Sequence, residues 1–141
     1  MHYYGAIQLS DAQAAAAIVS LYERPAERLA DMRRLALGET FQGLIAWDSF
    51  FHLTHDDQRR MFGVFQTHAA PGAALLFTSG PRHGVSVGSY HGEALYHASL
   101  DPVEYETLLQ GHGSGVLAYV PEDPTCGAHT VWLAKRSDAP P

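Results

Sequence analysis

The chain has 141 residues, of which 46% are hydrophobic, 11% aromatic and 17% charged. This composition is typical of one globular domain and excludes a disordered or fibrous protein. Fifteen acidic and nine basic residues give a formal net charge of −6, and a negative chain is repelled by the phosphate backbone of nucleic acids. We therefore expect no nucleic-acid partner.

The sequence also lacks signals for secretion, membrane insertion or metal binding. The single cysteine, Cys126, excludes an internal disulfide, so nothing indicates an oxidising compartment. The N-terminal segment has no basic run, and residues 21–24 interrupt its alanines, so we expect a cytoplasmic protein without a membrane span. The nine histidines show no H-x-x-x-H spacing, and no metal site is predicted.

The first half of the chain predicts helix, strand, helix and strand. Residues 11–37 have helical periodicity that Pro25 interrupts. Residues 41–48 end in an unbroken apolar run, which is typical of a strand covered on both faces. A helix from Thr54, closed by Pro71 and Gly72, leads to a second buried strand over 73–78. This order predicts a parallel crossover unit.

The second half begins with a long segment, residues 80–98, that is rich in Gly, His and Tyr. A connection of that length predicts a lid or binding loop. A short helix over 103–110 follows, and the strands at 116–120 and 129–134 are predicted to pair as an antiparallel hairpin. We expect a single domain over 1–136 and a frayed tail over 137–141.

This order of elements, together with its residues, resembles the C-terminal half of class I S-adenosylmethionine-dependent methyltransferases. The segments that carry the resemblance are ADMR (30–33), FQGLIAWDSFFHL (41–53), DDQRRMF (56–62), LLFTSGP (75–81), LYHASLDPVEY (95–105) and TVWLAKR (130–136). The resemblance implies an α/β fold. We expect a truncated Rossmann-like methyltransferase sheet of about four strands, the last two antiparallel, with flanking helices.

The resemblance also implies which residues hold the cofactor S-adenosylmethionine. The family holds the adenine with an acid and its apolar neighbour after the third strand, which correspond to Asp31 and Met32. An aromatic-Asp pair after the fourth strand faces the methionine end, which corresponds to Trp47 and Asp48. The other interpretation of Trp47 and Asp48 is a buried indole and an aspartate that caps the next turn.

The glycine-rich turn that the family places after its first strand is absent before Asp31. The simplest interpretation is an internal deletion that removes the cofactor-binding front half. Another glycine run, residues 111–115, follows a helix and precedes a strand. That order predicts a helix C-cap and not a cofactor cradle.

Candidate catalytic residues are His52, Tyr96 and His97. His52 follows the predicted strand and either lines the methyl-transfer crevice or packs under the helix and bonds to backbone. Tyr96 and His97 end the long loop, where they serve either as a base or acceptor-orienting pair or as simple lid anchors.

Three functions remain open at this point. The first is a methyltransferase-like protein, inactive or impaired, with a small-molecule acceptor if it is active. The second is a non-catalytic dimerisation or partner-binding module. Loss of the front half would leave strand 43–48 as an exposed edge, through which we expect a homodimer. The third is a small-ligand binder that uses the 80–98 loop.

Overall fold

The computed structural model describes residues 28–139, and Met32 onward forms one compact unit. This unit contains six strands, two helices and three short 3-10 turns. The strands are β1 (Phe41–Ala46), β2 (Ala69–Ser79), β3 (Gly84–Tyr90), β4 (Glu93–Ser99), β5 (Ser114–Asp123) and β6 (His129–Arg136). The helices are α1 (His55–His68) and α2 (Pro102–Gly111), and the 3-10 turns are Met32–Arg34, Phe50–His52 and Pro124–Cys126.

The predicted helix over 11–37 lies mostly outside the described residues. Where it enters them, the helical part is only the 3-10 turn Met32–Arg34, and residues 35–37 are irregular. Gly38 then adopts a φ of 72°, a left-handed conformation that glycine accepts readily. The C-terminal part of that helix prediction is therefore wrong.

Four strands form the main sheet in the order β1-β2-β6-β5. β1 runs parallel to β2, whereas β6 is antiparallel to both of its neighbours. β1 and β5 are the edges of this sheet among the described residues. The structure thus confirms the α/β class, the parallel strand-helix-strand unit and the antiparallel last pair.

Helix α1 begins where its capping residues predict but ends earlier than expected. The hydroxyl of Thr54 accepts from the main-chain N–H of Asp57, which caps the first turn. The helix ends at His68, and β2 begins directly at Ala69. Pro71 and Gly72 therefore lie inside β2, where the pairing with β1 shifts register. A register irregularity accommodates proline, which has no N–H to donate.

The core lies between one face of the sheet and the two helices. The sheet contributes Ala46, Leu75, Phe77, Trp132 and Ala134, and the helices contribute Met61, Phe62, Tyr105 and Leu109. The rings of Phe77 and Trp132 stack 5.7 Å apart and nearly parallel. The opposite face is less covered, because Ile45 is 42% exposed. The prediction that the first strand is buried on both faces is therefore not met.

The segment predicted as a long loop, residues 80–98, is mostly a β-hairpin, so that prediction is wrong. β3 and β4 pair without irregularity from Gly84–Ser99 to Tyr90–Glu93 and form a separate two-stranded sheet. His91 and Gly92 make the turn with φ of 50° and 82°, the conformation of a tight two-residue hairpin turn. The glycines and serines of β3 conceal the apolar alternation on which strand prediction depends.

Among the described residues, no helix is long and apolar enough to span a membrane.

Candidate functional site

An open parallel sheet usually binds its ligand in a crevice at the carboxyl ends of its strands, and here that position is the end of β1 and β2. Trp47 and Asp48 follow β1, and Thr78 and Ser79 end β2. β6 is antiparallel, so its first residue, His129, also lies at this end. The crevice is therefore bordered by three neighbouring strands.

Asp48 is held by its backbone and by its carboxylate. Its φ is 46°, a left-handed conformation that aspartate tolerates better than most residues. Its N–H donates to the hydroxyl of Thr78 at 3.0 Å. Its Oδ1 lies 2.5 Å from Nε2 of His129. Asp48 thus links the end of β1 to the ends of β2 and β6.

The imidazole of His129 is fixed on both sides. Nδ1 lies 3.1 Å from the carbonyl oxygen of Gly127, and Nε2 faces Asp48. Both ring nitrogens therefore face oxygen atoms. The indole of Trp47 stacks on this ring at 6.2 Å and 6°, and Phe51 meets it edge-on at 5.9 Å. Trp47 is half-buried, so neither of its predicted states, fully buried or open in the crevice, describes it fully.

Trp47, Asp48, Phe51 and His129 form a cluster of side chains. His52 and His97 are a second pair in this cluster, because His97 stacks on Phe51. Nδ1 of His52 lies 2.9 Å from the carbonyl oxygen of Tyr96, and Nδ1 of His97 lies 3.1 Å from that of Leu95. A carbonyl oxygen can only accept, so each Nδ1 carries the proton. In a neutral ring this arrangement leaves a lone pair at Nε2. Their centroids are 4.7 Å apart, and His97 also stacks on Phe51 at 5.2 Å.

The structure thus brings together five of the seven predicted site residues: Trp47, Asp48, His52, Tyr96 and His97. Tyr96 enters through its main-chain carbonyl oxygen. Met32 packs against the main core, and its neighbour Arg33 pairs with Asp57 of α1. Asp31 belongs to a separate unit of the chain, which ends directly before Met32.

A buried hydrogen-bond network connects helices α1 and α2 with the base of the hairpin. The hydroxyl of Tyr105 donates to Oε1 of Gln58 at 2.6 Å and accepts from the N–H of Leu100 at 3.0 Å. The amide nitrogen of Gln58 donates to the carbonyl oxygens of Leu53 and Ala98. Burial raises the pKa of the Tyr105 phenol above its ordinary value of 10.0. The network therefore ties the base of the hairpin to both helices.

Phe51, Thr78 and His129 are members of the cluster that were not predicted from the sequence. The direction of the last predicted strand could have identified His129. A predicted antiparallel last strand must begin where its parallel neighbours end, and this places His129 beside Trp47 and Asp48. No sequence pattern distinguishes Phe51 from its neighbour Phe50, which is the buried core residue.

The described residues contain no group of three or more His, Cys, Asp or Glu side chains that could hold a metal ion.

No protein-family model and no curated protein matches the sequence. Solved structures match it in fold. The glycopeptide N-methyltransferase MtfA, complexed with S-adenosyl-L-homocysteine, is similar with a TM-score of 0.61 and 19% identity, over 91% of this chain and 71% of MtfA.

Two further similar structures are also methyltransferases. An S-adenosylmethionine-dependent methyltransferase from Clostridium acetobutylicum gives a TM-score of 0.64 at 12% identity, over 92% of this chain and 73% of that one. Magnesium protoporphyrin IX methyltransferase (ChlM) from Synechocystis, with bound S-adenosylmethionine, gives 0.61 at 16% identity, over 90% and 53%. The chain therefore has the Rossmann-like α/β fold of class I S-adenosylmethionine-dependent methyltransferases.

Proposed function

We propose that this chain is a class I methyltransferase-like protein that keeps the acceptor side of the crevice and is impaired in binding S-adenosylmethionine. The fold and the residues gathered at the carboxyl ends of β1 and β2 support the first part. The second part rests on the absence of a glycine-rich turn before Asp31, which we interpret as loss of the front half of the fold.

The observation that carries this proposal is the use made of the glycine run at residues 111–115. The N–H of His112 donates to the carbonyl oxygens of Leu108 and Leu109, and that of Gly113 donates to Gln110. Gly113 has a φ of 76°, as expected at a helix C-terminus. These main-chain donors close α2, so this glycine run does not provide a cofactor cradle, which supports the proposed impairment.

The methionine-side candidates also differ from an open binding site. Asp48 is already paired with His129 at 2.5 Å, and Trp47 stacks on the same imidazole. A ligand cation that approaches Asp48 must compete with this pair. Asp31 and Met32 remain the adenine-side residues of the proposal, on the resemblance alone.

The acceptor side is better supported. The rings of His52 and His97 lie 4.7 Å apart, and Nδ1 of each faces a carbonyl oxygen, so a neutral ring offers Nε2 as an acceptor. Such a pair is suited to bind a small molecule with a hydroxyl or amine group and to accept its proton. The carbonyl oxygen of Tyr96 orients His52 for this role. A cytoplasmic location is part of the proposal and rests on the single cysteine, Cys126.

Isothermal calorimetry of the full chain with S-adenosylhomocysteine tests the proposal. We expect no binding heat up to millimolar ligand, because the sequence before Asp31 lacks the glycine-rich turn that would supply main-chain donors to the cofactor. Micromolar binding would overturn the impairment. In that case Asp48→Asn and Asp138→Asn are a matched pair of variants, since Asp138 is also ion-paired but lies near the C-terminus, with Lys135. Loss of binding in Asp48→Asn alone would assign the methionine side.

Two other functions keep some support. The first is a dimerisation or partner-binding module that uses strand 43–48, because β1 (FQGLIA) contains no charged residue or proline that would protect an edge. Light scattering of Ile45→Lys against the unmodified chain tests this function. The second is a small-ligand binder under the β3–β4 hairpin, supported by the aromatic and histidine cluster that the hairpin covers.

A further inference from the structure

We propose that the outer edge of β3 pairs with β3 of a second copy of this chain, antiparallel about a two-fold axis at Val87. The two hairpins would then form one four-stranded sheet between subunits. This inference does not depend on methyl transfer.

The hydrogen-bond pattern of the hairpin determines which residues present their main-chain groups to its outer edges. In an antiparallel pair, alternate residues bond inward, and the residues between them present N–H and C=O groups to the outer edge. On β4 the outward carbonyls are identifiable, because that of Tyr96 accepts from His52 at 2.9 Å and that of Ala98 accepts from Gln58 at 2.8 Å. Side chains of the compact unit therefore cover the outer edge of β4.

On β3, the residues whose main-chain groups point to the outer edge are exposed to solvent. Tyr96 pairs with Val87, and Ala98 pairs with Val85, so the outward residues of β3 are Val85, Val87 and Ser89. Within residues 28–139, no hydrogen bond from outside the hairpin reaches their main-chain groups. Val85 is 55% exposed and Val87 is 65% exposed. A two-stranded sheet with an open apolar edge is marginal alone and gains stability from further strands.

The sequence of β3, GVSVGSY, complements itself around Val87. In an antiparallel pairing centred there, Val87 meets Val87 of the partner subunit, and Val85 meets the partner's Ser89. Both pairs consist of outward residues, so their main-chain groups can exchange hydrogen bonds. At the ends, Tyr90 lies opposite the partner's Gly84, and an aromatic ring that covers a strand glycine is a favourable cross-strand pair.

The pairing also extends an apolar row. Val87 lies directly across from Tyr96 within the hairpin, and cross-strand partners share a face. The paired sheet would therefore carry the row Tyr96, Val87, Val87 of the partner subunit and the partner's Tyr96.

Charge favours β3 over the other free edges of the described chain. A second copy carries the same net charge of −6, so self-pairing needs an edge without acidic residues. β3 has none, whereas β5 contains Pro121 and ends in Glu122 and Asp123. β1 is flanked by Glu39 and Asp48, which antiparallel self-pairing about the middle of β1 brings together.

Light scattering of the full chain over a range of concentrations tests the proposal. We expect a dimer, and a monomer for Val87→Lys, because two lysines would meet on the two-fold axis. Val103→Lys is the matched control, since Val103 is a 75% exposed valine on α2, and it should stay dimeric. A monomeric unmodified chain, or a Val87→Lys chain that stays dimeric, would overturn the proposal.

Mixing Val87→Lys with Val87→Glu gives a sharper test. Opposite charges then meet on the axis, so we expect a heterodimer from two monomeric variants. If Val87→Lys fails to fold by circular dichroism, Ser89→Pro replaces it. Proline at this outward position removes the N–H that bonds the partner's Val85 and leaves the ladder to β4 intact. A Ser89→Pro dimer as tight as the unmodified one, or a dimer that only Ile45→Lys disrupts, would refute the β3 interface.

Discussion

The hydroxyl of Tyr105 on α2 donates to Oε1 of Gln58 on α1 across 2.6 Å, in the fully buried core. Tyr105→Phe removes this donor and leaves a buried amide oxygen unsatisfied. We expect the free energy of unfolding to fall by about 1–3 kcal/mol, as measured by urea denaturation. Tyr119→Phe is the control, because Tyr119 on β5 is 38% exposed, and an equal loss in both variants would contradict a special role for the buried bond.

The same tyrosine makes stability sensitive to alkaline pH. Burial raises the pKa of the Tyr105 phenol above 10.0, so the fold favours the neutral form. Its contribution is complete below the unfolded pKa and is lost as pH rises through the folded one. We expect the free energy of unfolding to fall more steeply above about pH 10 in the unmodified chain than in Tyr105→Phe. Parallel curves for the two proteins would show that Tyr105 is not responsible.

Phe50 and Phe51 are neighbours in the chain, but Phe50 belongs to the core and Phe51 to the crevice. Phe50 is fully buried and contacts the rings of Phe62, Phe77 and Tyr105. Phe50→Ala should cost about 3–5 kcal/mol of unfolding free energy through the cavity it leaves. Phe51 is half-buried, and Phe51→Ala should cost only about 1 kcal/mol.

Chemical shifts complete this comparison. Phe51→Ala removes the ring that stacks on His97 and meets His129 edge-on, so it should move the imidazole resonances of both histidines. If Phe51→Ala destabilises the chain as much as Phe50→Ala does, Phe51 belongs to the core.

A double-mutant cycle on Asp48 and His129 measures the pair that bridges β1 and β6. Both side chains are partly exposed, so we expect a coupling of about 0.2–1 kcal/mol. Asp48→Asn and His129→Gln, singly and together, provide the cycle by urea denaturation. The cycle on Lys135 and Asp138, an exposed pair three residues apart, serves as the reference. A coupling at Asp48 no larger than in the reference would show that the bond does not fix the crevice.

Much of the fold was predictable because its main elements carry local signals. Thr54 caps α1, Pro102 opens α2, and the apolar runs of β1 and β2 are too dense for loops. The hairpin at residues 84–99 was not predictable in the same way. Its strands are rich in glycine and serine, and its two-residue turn uses His91 and Gly92 in place of the Asn-Gly signal that marks such turns. The early start of β2 was hidden because Pro71 is normally a strand breaker.

The site was predictable only where chain order fixes position. Trp47 and Asp48 follow a parallel strand, so their place at the crevice follows from topology. His52 and His97 meet only because the hairpin folds back over the Phe50–His52 turn. The Asp48–His129 pair joins residues far apart in the chain, and no local pattern encodes such a contact.

The strand order also bears on how the chain folds. β2 bonds on one side to β6, where Leu76 pairs with Leu133. Leu133 lies near the C-terminal end of the described chain. β5 and β6, by contrast, are separated only by a short turn. We expect the two hairpins and the helices to form first and the closure of β2 onto β6 to limit the folding rate, because that step closes the longest loop. The crevice takes shape in that step, since Asp48 and His129 face each other only after β2 and β6 have joined.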